Sequence, residues 1–233
     1  MTAGREQQPG RRTISHVCGR IGYTVTPSQL VAVYPWLHDP PDIAPRYNIA
    51  PTDPILAVER EKASVVAWGL DGRRGSLFNL RGETALASGP YRSLLLGNRA
   101  VVPASHFYEW RRVGSRRLPV AIFRSDGAPL SLAGVLGQRH GAPAVTILTT
   151  TPNHDLEALH DRMPVVLSDE DARAWALETL SVERLAAMLA PCPEGFLVLR
   201  PASALVNDVR NDGPDLLDPD ALPPHYQLDL LDY

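Results

Sequence analysis

The chain has 233 residues, of which 44% are hydrophobic and 21% are charged, and its formal net charge is −3. These values predict a soluble globular protein of one domain. The negative net charge excludes binding of nucleic acid through an overall positive charge. The two cysteines lie far apart in the sequence, which predicts neither a disulfide scaffold nor a zinc site. No apolar run is long enough to span a membrane, so we expect no membrane partner. We also expect a cytoplasmic protein, with no metal ion and no cofactor.

Helix and strand signals begin after a polar N-terminal segment. Residues 1–15 show no apolar periodicity and are expected to be disordered. A short helix is predicted over 28–37, because Pro27 precedes it and two prolines follow it. Two strands and two irregular segments come next. The strands are predicted over 55–60 and 64–70, and the irregular segments over 71–76 and 78–84.

A series of short segments rich in β-branched and aromatic residues follows, separated by Gly, Pro, Ser and Asp. This pattern predicts an antiparallel sheet or barrel. The predicted strands are 99–104, 107–112, 118–124, 130–136, 144–150, 164–167 and 196–200, with a helical turn over 151–159. Ser168 and Ser181 are predicted N-caps of two helices that end near Glu178 and Ala190. Because strands outnumber helices and do not alternate with them, the predicted class is α+β, with a β-rich antiparallel barrel-like core and peripheral helices.

One strand of this series carries a carboxylate among apolar residues. Period-two alternation places Phe107, Glu109 and Arg111 on one face of that strand, and Tyr108 and Trp110 on the other. Glu109 is then either a solvent-facing residue paired with Arg111 or a carboxylate in an apolar pocket. In the pocket its pKa would be raised, which would suit a proton shuttle near neutral pH.

Polar clusters interrupt the strand pattern at four other places. A lone histidine such as His160 is more often structural, but Asp161 and Arg162 beside it favour a functional site. Arg20, Arg81 and Arg162 are either surface charges or, if the clusters converge in space, a phosphate clamp. Asparagines in loops most often occupy turn positions, so Asn48 and Asn79 could be turn residues.

Seven motifs between Cys18 and about Leu217 carry a resemblance to a known family. They are Cys18-Gly19-Arg20, Arg46-Tyr47-Asn48-Ile49-Ala50-Pro51, Trp68-Gly69-Leu70, Asn79-Leu80-Arg81-Gly82-Glu83-Thr84, Phe107-Tyr108-Glu109-Trp110, His160-Asp161-Arg162-Met163-Pro164 and Val206-Asn207-Asp208-Val209-Arg210-Asn211. In this order they resemble the SRAP (SOS response-associated peptidase) family, which includes abasic-site sensors of bacteria and eukaryotes. Two features depart from the family pattern: seventeen residues precede Cys18, and the segment after Leu70 lacks the usual proline and tryptophan.

The resemblance implies one SRAP domain over residues 18–233, with 1–17 as a disordered or wrongly annotated extension. It implies a monomer that binds abasic sites in single-stranded DNA and forms a thiazolidine crosslink through Cys18, which autoproteolysis exposes. A thiol autopeptidase and lyase-like activity are implied with it. The implied catalytic residues are Cys18, Asn48, Glu109 and His160, and the implied DNA-binding residues are Arg20, Asn79, Arg81 and Arg162.

The state of Cys18 decides between this function and two alternatives. An N-terminal cysteine carries an amine and a thiol on one residue, whereas an internal cysteine carries only the thiol. Val17 stands where the family has its initiator methionine, so we expect the working protein to begin at Cys18, with a self-cleaved leader as the second possibility. One alternative is a thiol peptidase that uses Cys18, His160 and Glu109. The other is a non-covalent module that binds single-stranded DNA, which the chain would be if it keeps its leader.

Overall fold

This computed structural model describes residues 19–73, 75–87 and 89–218. These residues contain fifteen strands and six α-helices. The strands are β1 (Ile21–Tyr23), β2 (Arg46–Ile49), β3 (Pro54–Glu59), β4 (Lys62–Trp68), β5 (Leu70–Gly72), β6 (Gly75–Leu77), β7 (Asn79–Arg81), β8 (Arg99–Ala104), β9 (His106–Val113), β10 (Arg116–Arg124), β11 (Leu130–Arg139), β12 (Ala142–Thr150), β13 (Met163–Pro164), β14 (Val166–Leu167) and β15 (Leu197–Pro201). The helices are α1 (Pro27–Val33), α2 (Gly82–Ala87), α3 (Gly89–Gly97), α4 (His154–Glu157), α5 (Asp169–Leu177) and α6 (Val182–Met188).

Five of these strands close into a barrel. Their order is β12-β4-β3-β8-β11, and the ring closes because β12 pairs with β4 on one side and with β11 on the other. These pairings are antiparallel except that of β12 with β4, which is parallel. β8 and β11 are buried on both faces, between the barrel interior and the helices outside. This explains why their sequences are nearly continuous apolar runs rather than alternating ones.

Helix α5 packs on the barrel through Trp175. The indole is fully buried, and its Nε1 donates hydrogen bonds to the carbonyl oxygens of Ala100 and Gly134 at 3.1 and 3.2 Å. Ser168 caps the helix as predicted, because its hydroxyl accepts the backbone N–H of Asp171 at 3.1 Å. Ser181 caps α6 in the same way. The two caps satisfy N–H groups that the first helical turn leaves without a partner.

A second, five-stranded sheet lies beside the barrel and carries the segments of interest. Its order is β15-β10-β9-β1-β2, and all its pairings are antiparallel. One face contributes residues such as Phe107 to the main core. The other face forms a smaller cluster around Tyr108, together with Val206 and Leu216 from the segment after β15. That segment contains two 3-10 turns, Ala204–Asn207 and Pro214–Leu217.

The predicted class is confirmed: the protein is α+β, with a β-rich barrel core and peripheral helices. The predictions for 71–76 and 78–84 as irregular segments are wrong. The first forms the hairpin of β5 and β6, and the second forms β7 and the start of α2. Helix α3 was not predicted. The expected disorder of residues 1–15 lies outside the described residues. No helix in the described part of the chain is long and apolar enough to cross a bilayer.

Candidate functional site

Strand β9 carries Glu109 into the protein interior. The Glu109 side chain is 4% exposed, and its cross-strand neighbour on β10 is Val120. Phe107 belongs to the main core, whereas Tyr108 and Trp110 pack in the smaller cluster on the opposite face of the sheet. The predicted alternation along this strand is therefore confirmed. Of the two interpretations of Glu109, the structure agrees with the buried carboxylate and not with the solvent-facing one.

A cavity of about 380 Å³ lies on the Glu109 face of the five-stranded sheet. Arg111 and Val120 line it from the sheet, and Leu159 lines it from the turn after α4. Arg111 follows Glu109 by two residues on the same face, and Leu159 directly precedes His160. The cavity therefore lies between the strand that carries Glu109 and the turn that carries His160.

The His160 ring has two polar neighbours at one nitrogen. The backbone N–H of Arg162 lies 3.1 Å from its Nδ1. Nδ1 also lies 2.8 Å from a carboxylate oxygen of Asp161, which would accept a proton from the charged ring. Burial lowers the pKa of His160; the carboxylate of Asp161 opposes this shift, and the charges of Arg112 and Arg117 add to it. Burial and the two arginines therefore disfavour the charged ring.

Arg20 and Asn48 form a polar cluster with the segment after β15. The Arg20 guanidinium donates to Asn48 Oδ1 at 2.8 Å and to the carbonyl oxygen of Val206 at 2.7 Å. The Nδ2 of Asn48 lies 2.9–3.2 Å from the carbonyl oxygens of Val206, Asp208 and Asn211. Asn48 is fully buried, and the hydrogen bonds of its amide hold this segment against β2.

Arg20 also connects this cluster to β9. Its carbonyl oxygen accepts the backbone N–H of Tyr108 at 3.0 Å, and its guanidinium carbon lies 6.0 Å from the centre of the Trp110 ring. Burial lowers the pKa of Arg20, although nearby acidic groups oppose that shift. Cys18 lies outside the described residues. Arg20 lies two positions after Cys18 in the sequence. Its backbone is hydrogen-bonded to Tyr108, the residue before Glu109.

Asp212 anchors the far end of the same segment. Its carboxylate accepts the backbone N–H of Tyr47 at 2.5 Å and that of Asn48 at 3.2 Å, and it forms an ion pair with Arg46. A carboxylate that accepts two backbone N–H groups and pairs with an arginine is a strong attachment. The segment from Val206 to Asp212 is therefore fastened to β2 at both ends.

A second group of predicted residues lies around β7. Asn79 and Arg81 are on this strand, which pairs in parallel with β12 and places Arg81 opposite Thr149. Arg162 donates to both carboxylate oxygens of Glu83, at 2.9 and 2.8 Å, and to the carbonyl oxygen of Thr149 at 2.7 Å. Partial burial acts to raise the pKa of Glu83, but the hydrogen bonds and charge of Arg162 and the charge of Arg81 lower it below its ordinary value. Arg81 is exposed, whereas Arg162 is buried in this ion pair.

The predicted site residues that the structure describes thus form two groups, and His160 contacts one of them through Arg162. Arg20, Asn48 and Glu109 are joined through β1, β2 and β9, and Asn79, Arg81 and Arg162 are joined through β7 and β12. His160 bonds to Arg162 in one group and lies within electrostatic reach of the β9–β10 hairpin in the other.

Sequence reasoning missed four polar residues that complete this arrangement: Glu83, Arg112, Arg117 and Asp212. Two signals were available. Glu83 and Asp212 lie in or next to the motifs, and arginine doublets flank a Val-Gly-Ser turn between β9 and β10. Within residues 19–73, 75–87 and 89–218, no group of three or more His, Cys, Asp or Glu side chains is arranged to hold a metal ion.

Comparisons with known proteins agree with the motifs. Residues 17–209 match the profile of a family described as SOS response associated peptidase (SRAP). The abasic site processing protein YoaM of Bacillus subtilis is 32% identical over 192 residues, covering 75% of this chain and 85% of that protein. The abasic site processing protein YedK of Escherichia coli is 32% identical over 195 residues, covering 78% and 87%.

Solved structures share the fold. A protein from Bacteroides thetaiotaomicron has a TM-score of 0.73 at 19% identity, with 86% of this chain and 99% of that chain covered. A phage-related protein from Bordetella bronchiseptica has a TM-score of 0.64 at 29% identity, with 79% and 93% covered. The resemblance inferred from the seven motifs is confirmed.

Proposed function

We propose, on the premise that this chain belongs to the SOS response associated peptidase (SRAP) family, that it senses abasic sites in single-stranded DNA and captures them covalently. Relatives named abasic site processing proteins support abasic sites in DNA as the target. The observation that carries the chemistry is the cavity between the strand of Glu109 and the turn of His160. Arg20, two residues after Cys18, is fixed on the adjoining strand.

The capture step follows from the chemistry of an N-terminal cysteine. The open form of an abasic sugar carries an aldehyde. The Cys18 amine attacks its carbonyl carbon, and loss of one water molecule gives an imine. The Cys18 thiol then adds to the imine carbon while its proton moves to nitrogen, which closes a five-membered thiazolidine. One C–N and one C–S bond form for each water released. An α-amine has a pKa of roughly 7.7–8.0, so a useful fraction is neutral at physiological pH.

This step requires Cys18 to be the first residue of the working protein, either by autoproteolysis or by initiation at position 17 and removal of the initiator residue. In autoproteolysis the Cys18 thiol would attack the carbonyl carbon of Val17, and the Cys18 nitrogen would leave as a free amine. Water would then hydrolyse the thioester, which frees the thiol and releases the leader as a carboxylic acid. Cys192 is unsuited to either chemistry: it is buried, and burial raises the pKa of its thiol to about 12.

Glu109 and His160 supply the acid–base steps, from the strand and the turn whose residues Arg111 and Leu159 line the cavity. Glu109 removes and returns protons as the carbinolamine forms and loses water. His160 assists opening of the sugar ring by giving a proton to the ring oxygen from its protonated form. The charges of Arg112 and Arg117 oppose the charged ring, so protonated His160 gives up that proton more readily.

The DNA strand is held through its phosphates and not through its bases. Exposed Arg81 binds a phosphate, with Asn79 and Arg20 nearby, and Arg162 joins when its guanidinium exchanges Glu83 for a phosphate. Asn48 contributes by positioning Arg20, because its amide forms hydrogen bonds within the protein. An abasic nucleotide has no base to unstack, so placing it in the cavity costs less than flipping a normal nucleotide.

A denaturing gel with single-stranded DNA bearing one abasic site tests the proposal. Protein that begins at Cys18 should give a denaturation-resistant adduct, and Cys192→Ala in the same background should give as much. Cys18→Ala keeps the amine but loses the thiol, so it should give only an imine that borohydride traps. Glu109→Gln and His160→Ala should slow adduct formation by about 10²-fold.

The same assay also tests the requirement for a free amine. Protein with a retained leader keeps the thiol and lacks the α-amine, and should bind the DNA without forming a stable adduct. Intact mass of each sample establishes whether the leader is present. Equal, durable crosslinking by leader-bearing and leader-free protein would contradict the aminothiol mechanism and assign capture to another nucleophile.

A further inference from the structure

The hairpin between β9 and β10 carries two arginines that face each other. Arg112 of β9 and Arg117 of β10 are direct cross-strand neighbours, and both side chains are exposed. Like charges in this arrangement repel and destabilise a sheet. Across the described ranges of the chain, no carboxylate forms an ion pair with either arginine. Among the described residues, these two positive charges are therefore held together without a carboxylate counter-ion.

Further positive charge surrounds this pair and extends toward β1. Arg111 and Arg116 lie on the same hairpin. The guanidinium carbon of Arg117 lies 5.4 Å from the centre of the Trp110 ring, and that of Arg20 lies 6.0 Å from the same centre. Arginine side chains therefore extend from the end of the hairpin to the strand that follows the N-terminal segment.

The arginine pair neighbours the cavity but does not line it. Three residues separate Arg112 from Glu109 along β9, which is about 10 Å in an extended strand. Both Arg112 and Arg117 act on the pKa of His160, so their charges are felt at the turn on the other side of the cavity. Arg112 alternates with Arg111 along β9, so the pair lies on the Trp110 face of the hairpin, opposite the face with the cavity. A DNA strand that leaves the cavity would reach the pair by passing around the end of the hairpin.

We propose that Arg112 and Arg117 together bind one backbone phosphate of the DNA strand, next to the abasic nucleotide. This rests on the proposed function, because DNA must occupy the cavity for its neighbouring phosphate to reach the hairpin. Two guanidinium groups offer paired N–H donors to phosphate oxygens, and the bound anion removes the repulsion between them. A continuous nucleic acid strand supplies that phosphate at a fixed distance from the reacting sugar.

The test uses Arg112→Gln/Arg117→Gln, with Arg60→Gln/Arg92→Gln as a control that removes two exposed arginines from elsewhere on the surface. The probes are single-stranded oligonucleotides with one abasic site and one uncharged methylphosphonate, moved through each position in turn. In the wild type, one methylphosphonate beside the abasic site should weaken binding about tenfold. In the double variant, a methylphosphonate at that position should not change the affinity for DNA. The plot of the logarithm of the association constant against the logarithm of the salt concentration should become less steep by about 0.7.

Thermal unfolding without DNA separates a binding role from a structural one. Removing two opposed charges should leave the melting temperature unchanged or raise it by about 1–3 °C. The proposal is overturned if the double variant melts lower than the wild type, or if the methylphosphonate profiles of the two proteins coincide. It also fails if Arg60→Gln/Arg92→Gln loses as much affinity as the hairpin variant.

Failure of this proposal and failure of the proposed function give different results. If the double variant keeps the wild-type methylphosphonate profile while both proteins form adducts, only the arginine pair is wrong. If the wild type forms no adduct, the capture mechanism is wrong, and the profile measured on non-covalent complexes still decides the role of the pair.

Discussion

Replacing Gly22 with alanine should strain the contact between β1 and β9. Gly22 is the direct cross-strand neighbour of His106, whose ring covers the glycine. A Cβ atom at Gly22 would lie 2.0 Å from Cε1 and 2.2 Å from Nε2 of that ring. Ordinary carbon contacts are about 3.5–4.0 Å, so the ring would have to move by roughly 1.5 Å or β1 would have to separate from β9.

The His106 ring has no room for such a movement. It is fully buried, its Nδ1 lies 3.0 Å from the Ser105 hydroxyl, and it packs against the rings of Tyr108 and Phe123. Overpacking of this kind, with loss of a hydrogen bond, costs about 2–4 kcal/mol in the free energy of unfolding. For a chain of this size, that corresponds to a fall in melting temperature of roughly 5–15 °C.

Thermal and urea unfolding of Gly22→Ala measure this cost, and Gly97→Ala at the end of α3 is the matched control. A Cβ atom at Gly97 meets no atom within 4 Å, so that variant should unfold like the wild type or be more stable by up to about 1 kcal/mol. In a His106→Ala background the clash is absent, and Gly22→Ala should cost less than about 0.5 kcal/mol. Equal costs in both backgrounds, or no cost in either, would refute the steric argument.

Two further predictions concern charge. Burial lowers the pKa of His106 from 6.5 to about 4, so as pH falls through this window the unfolded chain takes up a proton before the folded one. The free energy of unfolding should therefore fall by about 3 kcal/mol between pH 7 and pH 4, and urea titrations of His106→Gln should lack this part of the decline. Glu83→Gln keeps the size of the side chain but removes a carboxylate beside Arg81 and Arg162. Affinity for single-stranded DNA should rise by about two- to fivefold, measured by fluorescence anisotropy. A fall in affinity that parallels a fall in melting temperature would assign the Glu83–Arg162 pair to the fold alone.

The strands were predictable because their signal is local, whereas the polar segment 78–84 was not. Alternation of apolar and polar residues identified β9 and the face that carries Glu109. The polar sequence from Asn79 gives no such pattern, since β7 forms by pairing with β12 and is stabilised where Leu80 lies buried opposite Leu148. Its structure depends on a strand nearly seventy positions away, and tertiary contacts override local propensity there.

The site residues show the same limit at the level of side chains. A motif indicates that Arg162 matters, but whether its guanidinium faces solvent depends on Glu83, 79 positions away. The sequence presents Asn48 as a turn residue or, by resemblance, a catalytic residue, whereas its partners are carbonyl oxygens 158 to 163 positions further along the chain. Local sequence points to individual residues, whereas long-range contacts define the surroundings of each one.

The hydrogen bond from Arg20 to the carbonyl oxygen of Val206 spans 186 residues, and it has a consequence for the order of folding. Contacts between distant parts of a chain form late, because both ends must exist and meet before the contact can form. At roughly 5–20 residues per second, a ribosome needs about 10–40 s to make the intervening chain. A nascent chain that already displays Arg20 and Asn48 therefore cannot form this cluster until Val206 has been synthesised. Any reactivity that depends on the cluster is absent before that point, which protects the shorter nascent chain from reacting on the ribosome.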